Sequence, residues 1–482
     1  MTMPAFGRSA PAEHQVRVAV AVIAGIGLVL ALPGVAAHEA FAQPTTLKYA
    51  ASVAAPLVLL LLATASSPDR VLVPAAILAA PFAPLVMTAG GVPMSAFAVV
   101  TGLAVLVTLC RESRTTSGSA TAHGAVLALA LLLPAVIIGS DVGETLTLVL
   151  AVAAIGWITA RLARKRGGPE LVAASILSSA TLQSLLAIYE FASKSTVNFY
   201  GSGTTALASN YFYNFNGTDR PVGSYFDPIS LGNVLALSLP IAVGAAIIMV
   251  QRRRPVAATL TIVSALVILT GLVLSFSRMS WIGAGIGVAC TAFALPGRLR
   301  VRAVSGVAVT AAVGAVIAVA VAGGELSSRF GSIFHPGAMN PSNPDSDQVR
   351  LMLWGSAAHV FARHPWFGVG INQLVSAFSR MIADVTPTTN AQNTYLQIAA
   401  EAGILGIAAL VALAVGVIRD LRSDRLAAVG RAALVGSLVA LAICWVSDDT
   451  VRYIAVAASI APVFGLLSGL AVRSDEEAEA PA

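Results

Sequence analysis

Apolar residues fall in long runs along this chain, and the runs dictate its architecture. A helix needs about 17 to 25 mainly apolar residues to cross roughly 30 Å of hydrocarbon. Fourteen stretches meet that measure: residues 18–36, 49–66, 71–88, 92–110, 123–140, 145–162, 171–192, 229–250, 255–275, 280–296, 303–322, 395–418, 432–448 and 453–472. They predict an all-α fold, a polytopic transmembrane helix bundle of about 14 helices within a range of 12–14. The polar segments between them are short, except at 193–228 and 323–394. The expected division is therefore transmembrane helices over 1–192, a loop over 193–228, helices over 229–322, a large helical loop over 323–394, helices over 395–472 and a tail over 473–482.

Two places interrupt the pattern, Gly90-Gly91-Val92-Pro93 and Asp448-Asp449. At the start, a basic segment, an apolar run and the small residues around Ala40-Phe41-Ala42 have the form of a secretory signal. Removing that helix would leave an odd span count and break the alternation of basic and non-basic loops, so the chain is expected to keep it.

Composition agrees with the pattern: 57% of residues are hydrophobic and 11% charged, against about 25% charged in a soluble domain. Charge adds an orientation. Basic residues are 26 Arg and 3 Lys, and with the N-terminus inside, 20 of the 29 fall in alternate loops, as an excess on the cytoplasmic side requires. Both long loops then lie outside and both termini inside. No basic face suited to nucleic acid emerges. Cys110, Cys290 and Cys444 lie in or at the end of apolar runs without metal-ligand spacing, so they are expected to be packing residues.

The unusual side chains gather in the long loops and beside them. Tyr200, Tyr211, Phe212, Tyr213, Phe215, Tyr225 and Phe226 crowd the first; rings there anchor a membrane interface or stack on sugar, and both readings stand. Arg220 precedes Pro221 and Gly223, and Asp227-Pro228 is placed to cap the next helix. An arginine beside an outward helix N-terminus suits an anion. Ser277-Arg278 occupies a tight turn between two spans. Gly283, Gly285 and Gly287 lie inside a span, where close helix packing is expected.

In the large loop a helix is predicted from about Gln348 to Arg363, capped by Asp347 or Ser346 and stopped by His364-Pro365. Arg350, Leu353, Trp354, Ala357, Val360 and Phe361 share one face, so Arg350 projects with the apolar stripe and needs an anionic or polar partner. The run His364 to Gly370 comes next, then Gln392-Asn393-Thr394-Tyr395, with Gly403 and Gly406 further on. Glu401 lies eight residues beyond Asn393, about 12 Å down the helix. Burial with a hydrogen-bond partner is expected for it, although an intramembrane carboxylate is also a functional candidate.

Taken in order, these residues resemble the O-antigen ligase and O-antigen polymerase superfamily of polytopic bacterial glycosyltransferases, over about 200–420. The resemblance implies an enzyme in the cytoplasmic (inner) membrane with its active site outside. It would move a glycan from a polyprenyl diphosphate carrier to a hydroxyl of a glycan or lipid acceptor in the lipid bilayer, without metal or cofactor. It makes Arg220, Arg278, Arg350, Gln392 and Asn393 the catalytic candidates, with Arg220 and Arg278 on the diphosphate. Asp227, His364, Gly368, Gly370, Tyr395 and Glu401 become substrate-binding candidates. The chain departs from the family at Gln392, where ligases carry a histidine proposed as base, and glutamine cannot take a proton at neutral pH. His364, Asp227 or Glu401 would then be the base, or the leaving group needs little help, or the chain is polymerase-like, acting in capsule or exopolysaccharide synthesis. A transporter is the rival reading, but carriers place ionisable groups at the midplane with internal repeats, and here they cluster toward one surface.

Overall fold

Proline at the first turn opens three of the long helices, because its fixed φ suits the first helical positions and its missing N–H costs nothing there. The computed structural model describes residues 67–84, 86–89, 92–111, 118–140, 142–194, 214–215, 218–301, 304–305, 346–379 and 390–472. The expected spans 18–36 and 49–66, nearly all of 303–322, the signal-like segment and the aromatic residues from Tyr200 to Tyr213 lie outside these. Met1–Leu72 and Val73–Ala482 are separate units, and every long span and candidate site residue with a described position belongs to the second.

In chain order the helices are α1 (Asp69–Ala79), α2 (Ala96–Arg111), α3 (Ala120–Ile138), α4 (Val142–Arg164), α5 (Gly168–Ser193), α6 (Pro228–Gln251), α7 (Pro255–Leu274), α8 (Arg278–Ala294), α9 (Ser346–Arg363), α10 (Leu374–Ser379), α11 (Thr394–Leu421), α12 (Ala428–Cys444) and α13 (Ile454–Val472). Among the described residues, seven helices are long and apolar enough to cross a membrane: α3, α4, α5, α6, α7, α11 and α13. The chain is a polytopic, all-α membrane bundle. Among the described residues two short hairpins interrupt it, β1 (Val86–Ala89) with β2 (Val92–Ser95) and β3 (Asn214–Phe215) with β4 (Thr218–Asp219).

The first hairpin corrects one expectation. Residues 71–88 are not a single helix: α1 stops at Ala79, a 3-10 turn over Ala80–Phe82 comes after it, and β1 pairs antiparallel with β2, Val86 opposite Ser95. Pro81 enters that turn where a longer helix would need its N–H.

Helix α13 is the most enclosed span and packs chiefly on α4, while α6 lies among α5, α7, α8 and α12. Small residues set these crossings, because in lipid close backbone approach replaces hydrophobic burial as the source of attraction. A Cβ on Gly287 of α8 would meet the Gly436 carbonyl of α12 at 2.4 Å, and one on Gly465 of α13 would meet the Gly156 carbonyl of α4 at 2.5 Å. Gly283 likewise faces Ala440 and Cys444, as close helix packing requires, whereas Gly285 faces open space. Cys290 and Cys444 are free thiols, Cys444 buried.

Candidate active site at one end of the bundle

The start of α6 is fixed by Asp227, whose Oδ1 accepts from the Ile229 and Ser230 N–H groups at 2.8 Å while Oδ2 accepts from the Ser230 hydroxyl. The chain reaches it through a turn, 220–226, held from α5. Buried Glu190 takes the Val222 and Gly223 N–H groups on one carboxylate oxygen at 2.9 and 2.8 Å. Gln183, nearer the middle of the same helix, accepts from both the N–H and the hydroxyl of Ser224. Gly223 has φ +60 and no room for a side chain against Gln183, so the turn requires glycine there.

This turn carries Arg220 to the junction of α7 and α8. Arg220 is only 8% exposed, and its Nε and Nη2 both donate to the Ser275 carbonyl at 3.2 Å. Three residues later Arg278 opens α8, half-buried, with Ser277 before it at the N-cap position. Two arginines from separate loops are thus drawn to one junction. Of the rings expected at an interface or on sugar, Tyr225 turns inward, its hydroxyl meeting Ser459 of α13, while half-buried Phe226 stacks on Tyr453 at 5.6 Å.

Behind Arg278 a polar chain runs through the helix ends. Ser277 pairs with Ser280 at 2.7 Å, Ser280 donates to Asn233 Oδ1 at 2.8 Å, and Asn233 Nδ2 donates to the buried Asp448 carboxylate, which also accepts from Thr450. The Asp448 carbonyl in turn accepts from the N–H and the hydroxyl of Thr394 at the start of α11. Burial, with the nearby charges of Asp227 and Asp449, holds the Asp448 carboxyl well above the usual carboxylate range. Asp449 is raised as well, by burial first. Arg452 Nε lies 3.5 Å from Asp449 Oδ2, an ion pair longer than a good hydrogen bond.

On the other side of Thr394, Asn393 caps α11 by accepting from Leu396 N–H at 3.0 Å and donates to the Val446 carbonyl at 2.7 Å. Both ends of its amide are engaged, so it fixes α11 against the end of α12. Gln392 beside it accepts a hydrogen bond from Arg350 Nε at 3.1 Å. The predicted stripe on α9 is present: Leu353, Ala357 and Val360 are buried with Ala391 and Ala400, and Arg350 lies at the same side. Tyr395 points away from this junction and donates to the Ala442 carbonyl.

Gly368 and Gly370 have positive φ and belong to a braid between the loop after α9 and a break in α11. Val369 and Gly370 donate to the Ala400 and Glu401 carbonyls, and Ile404 N–H returns a bond to the Pro365 carbonyl at 2.7 Å. The break is at Gly403, with φ 64 and ψ −150. Glu401 is buried there and accepts from Gln397 Nε2 at 2.7 Å. His364 is exposed at the outer edge of the braid. Of the three bases considered for the missing histidine, Asp227 is occupied as a cap, Glu401 is tied to Gln397, and His364 faces outward.

The structure therefore brings Arg220 to the Arg278 turn, and Arg350 to Gln392 and Asn393, with the Asn233–Asp448 link joining the two halves. Glu190, Asn233 and Ser280 were not singled out from the sequence as functional, and Asp448 was marked only as an interruption of the hydrophobic pattern. Glu190 and Asn233 are lone polar residues in or beside apolar runs, Ser280 and Asp448 belong to short polar clusters between two spans, and that burial potential was the available signal. Among the described residues no cluster of three or more His, Cys, Asp or Glu side chains is arranged to hold a metal ion.

No curated protein is similar to this chain at a significant level. Residues 262–411, from α7 through the large loop into α11, match the family model described as O-Antigen ligase, and this match supports a likeness to the O-antigen ligase superfamily.

Proposed function

We propose that this protein is a metal-independent glycosyltransferase that takes a glycan from a polyprenyl diphosphate carrier and joins it to a hydroxyl of a glycan or lipid acceptor, at the outer face of the cytoplasmic membrane. The bond from the anomeric carbon to phosphate breaks, the acceptor oxygen takes its place, and the acceptor proton is released. The observation that carries this reading is the meeting of Arg220 with the turn of Arg278 through the Ser275 carbonyl. Arginine stays charged and offers a planar fork to phosphate oxygens. Guanidinium groups fixed before reaction stabilise the charge that develops on the departing diphosphate. The alternation of basic residues supports an outward position for this end of the bundle.

The lipid-linked precursors of a strain lacking the gene test the proposal. Accumulated full-length carrier-linked chains indicate a ligase, and accumulated single repeat units indicate a capsule or exopolysaccharide polymerase. Unchanged precursors contradict both. Chelator leaves transfer unaffected; inhibition reversed by an added divalent ion overturns metal independence. A membrane-impermeant thiol reagent labels Arg278→Cys, in a chain whose own cysteines are replaced by serine, in intact cells. Labelling only after the cells are opened overturns the orientation.

A further inference from the structure

The amide of Gln392 has one way round. A guanidinium only donates, so the oxygen of Gln392 must face Arg350 Nε, 3.1 Å away, and the NH2 group must face elsewhere. The backbone at 392 is in the left-handed region, φ +47, which residues with side chains seldom adopt. It is held there from both sides. Ala391 N–H donates to Gln397 Oε1 at 2.9 Å, and Asn393 is fixed at both ends of its amide. Among the described residues Gln392 Nε2 makes no hydrogen bond, although the residue is half-buried. The NH2 group is thus an oriented donor at a half-buried position.

We infer that Arg350 is a positioning residue that turns Gln392 so that Nε2 donates a hydrogen bond to a phosphoryl oxygen of the carrier diphosphate. Residue 392 then belongs to the anion grip, and is no substitute for a base on the acceptor side. The inference rests on the proposed transfer from a polyprenyl diphosphate. The Arg350 guanidinium beside Gln392 is cationic, and a group that takes hydrogen bonds from both would be an anion. A base facing this guanidinium would be weakened by it, whereas an oxyanion is stabilised.

Gln392→Glu separates the two roles, because it keeps the oxygen that faces Arg350 and replaces the donor by a second, charged oxygen. With the full chain in lipid nanodiscs and polyprenyl diphosphate as the probe, Gln392→Glu weakens binding at least tenfold. It raises KM for the lipid-linked donor while KM for the acceptor holds. Gln392→His loses less than Gln392→Glu, since a neutral ring accepts through one nitrogen and donates through the other. Gln392→Ala costs about tenfold when Arg350 is present and less than threefold in Arg350→Ala, where the amide has lost its orientation. Equal or faster transfer by Gln392→Glu, in a wild type that binds the carrier, overturns the inference and leaves the proposed reaction standing. Losses at 350 and 392 that simply add overturn the positioning role. A wild type that neither binds polyprenyl diphosphate nor transfers glycan removes the proposed reaction, and the inference with it.

Discussion

Arg220 gives two hydrogen bonds, from Nε and Nη2, to the single backbone oxygen of Ser275, each 3.2 Å long. The geometry ties the loop after α5 to the turn between α7 and α8. Its accuracy depends on α5, because Glu190 gathers the N–H groups of Val222 and Gly223 immediately beyond Arg220.

Glu190→Ala therefore leaves two buried N–H groups without an acceptor, at about 1 to 3 kcal/mol each. Thermal unfolding of the purified protein shifts down, and transfer falls with it as Arg220 loses its support. Glu190→Gln retains an oxygen able to accept both bonds, so it is milder on both measures. An alanine variant with wild-type melting and transfer contradicts this role.

Gly403 is the residue on which the braid after α9 depends. Its φ of 64 and ψ of −150 are accessible essentially to glycine alone, and a Cβ there would come within 2.5 Å of the Trp366 backbone. Gly403→Ala costs at least about 1 to 3 kcal/mol from the backbone conformation alone, seen as a lower melting temperature and less folded protein in the membrane. Gly285→Ala, which meets open space, is the control and leaves both unchanged. Equal behaviour of the two variants contradicts the account.

Hydropathy made the long spans legible in the sequence, the Asp-Pro pair at 227–228 marked the start of α6, and helical periodicity put Arg350 with the apolar stripe that carries it to Gln392. The hairpin at 86–95 was missed because an apolar run of that length has no period that separates strand from helix. The roles of Asn233, Ser280 and Asp448 were missed because hydropathy averages over a window, and the meaning of each comes from a partner up to 215 residues away. Gly368 and Gly370 were expected near substrate; the structure shows the physical demand on them, which is backbone approach to Glu401 and Gly139.

Asp448 gives the protein a pH dependence of definite sign. Its carboxyl is raised in the fold by burial and by the charges of Asp227 and Asp449, whereas in the unfolded chain it titrates near about 3.9. Between those values the folded state holds the extra proton, so stability contributed by this group is complete at low pH and is lost as pH rises through the folded pKa. Asp448→Asn can still accept from Asn233 and Thr450 and cannot ionise. Melting temperatures followed upward from acid pH fall less steeply for Asp448→Asn than for wild type. Parallel curves contradict this assignment.

The arginine grip on a lipid diphosphate is tested most directly by transfer in a purified system. Wild-type protein in liposomes, given a polyprenyl diphosphate-linked glycan and a hydroxyl acceptor, forms a new glycoside and releases polyprenyl diphosphate, while Arg278→Ala, folded and inserted to the same level, forms at least a hundredfold less. Wild-type rates in Arg278→Ala, or movement of the lipid-linked glycan across the bilayer with no new covalent product, contradict the account.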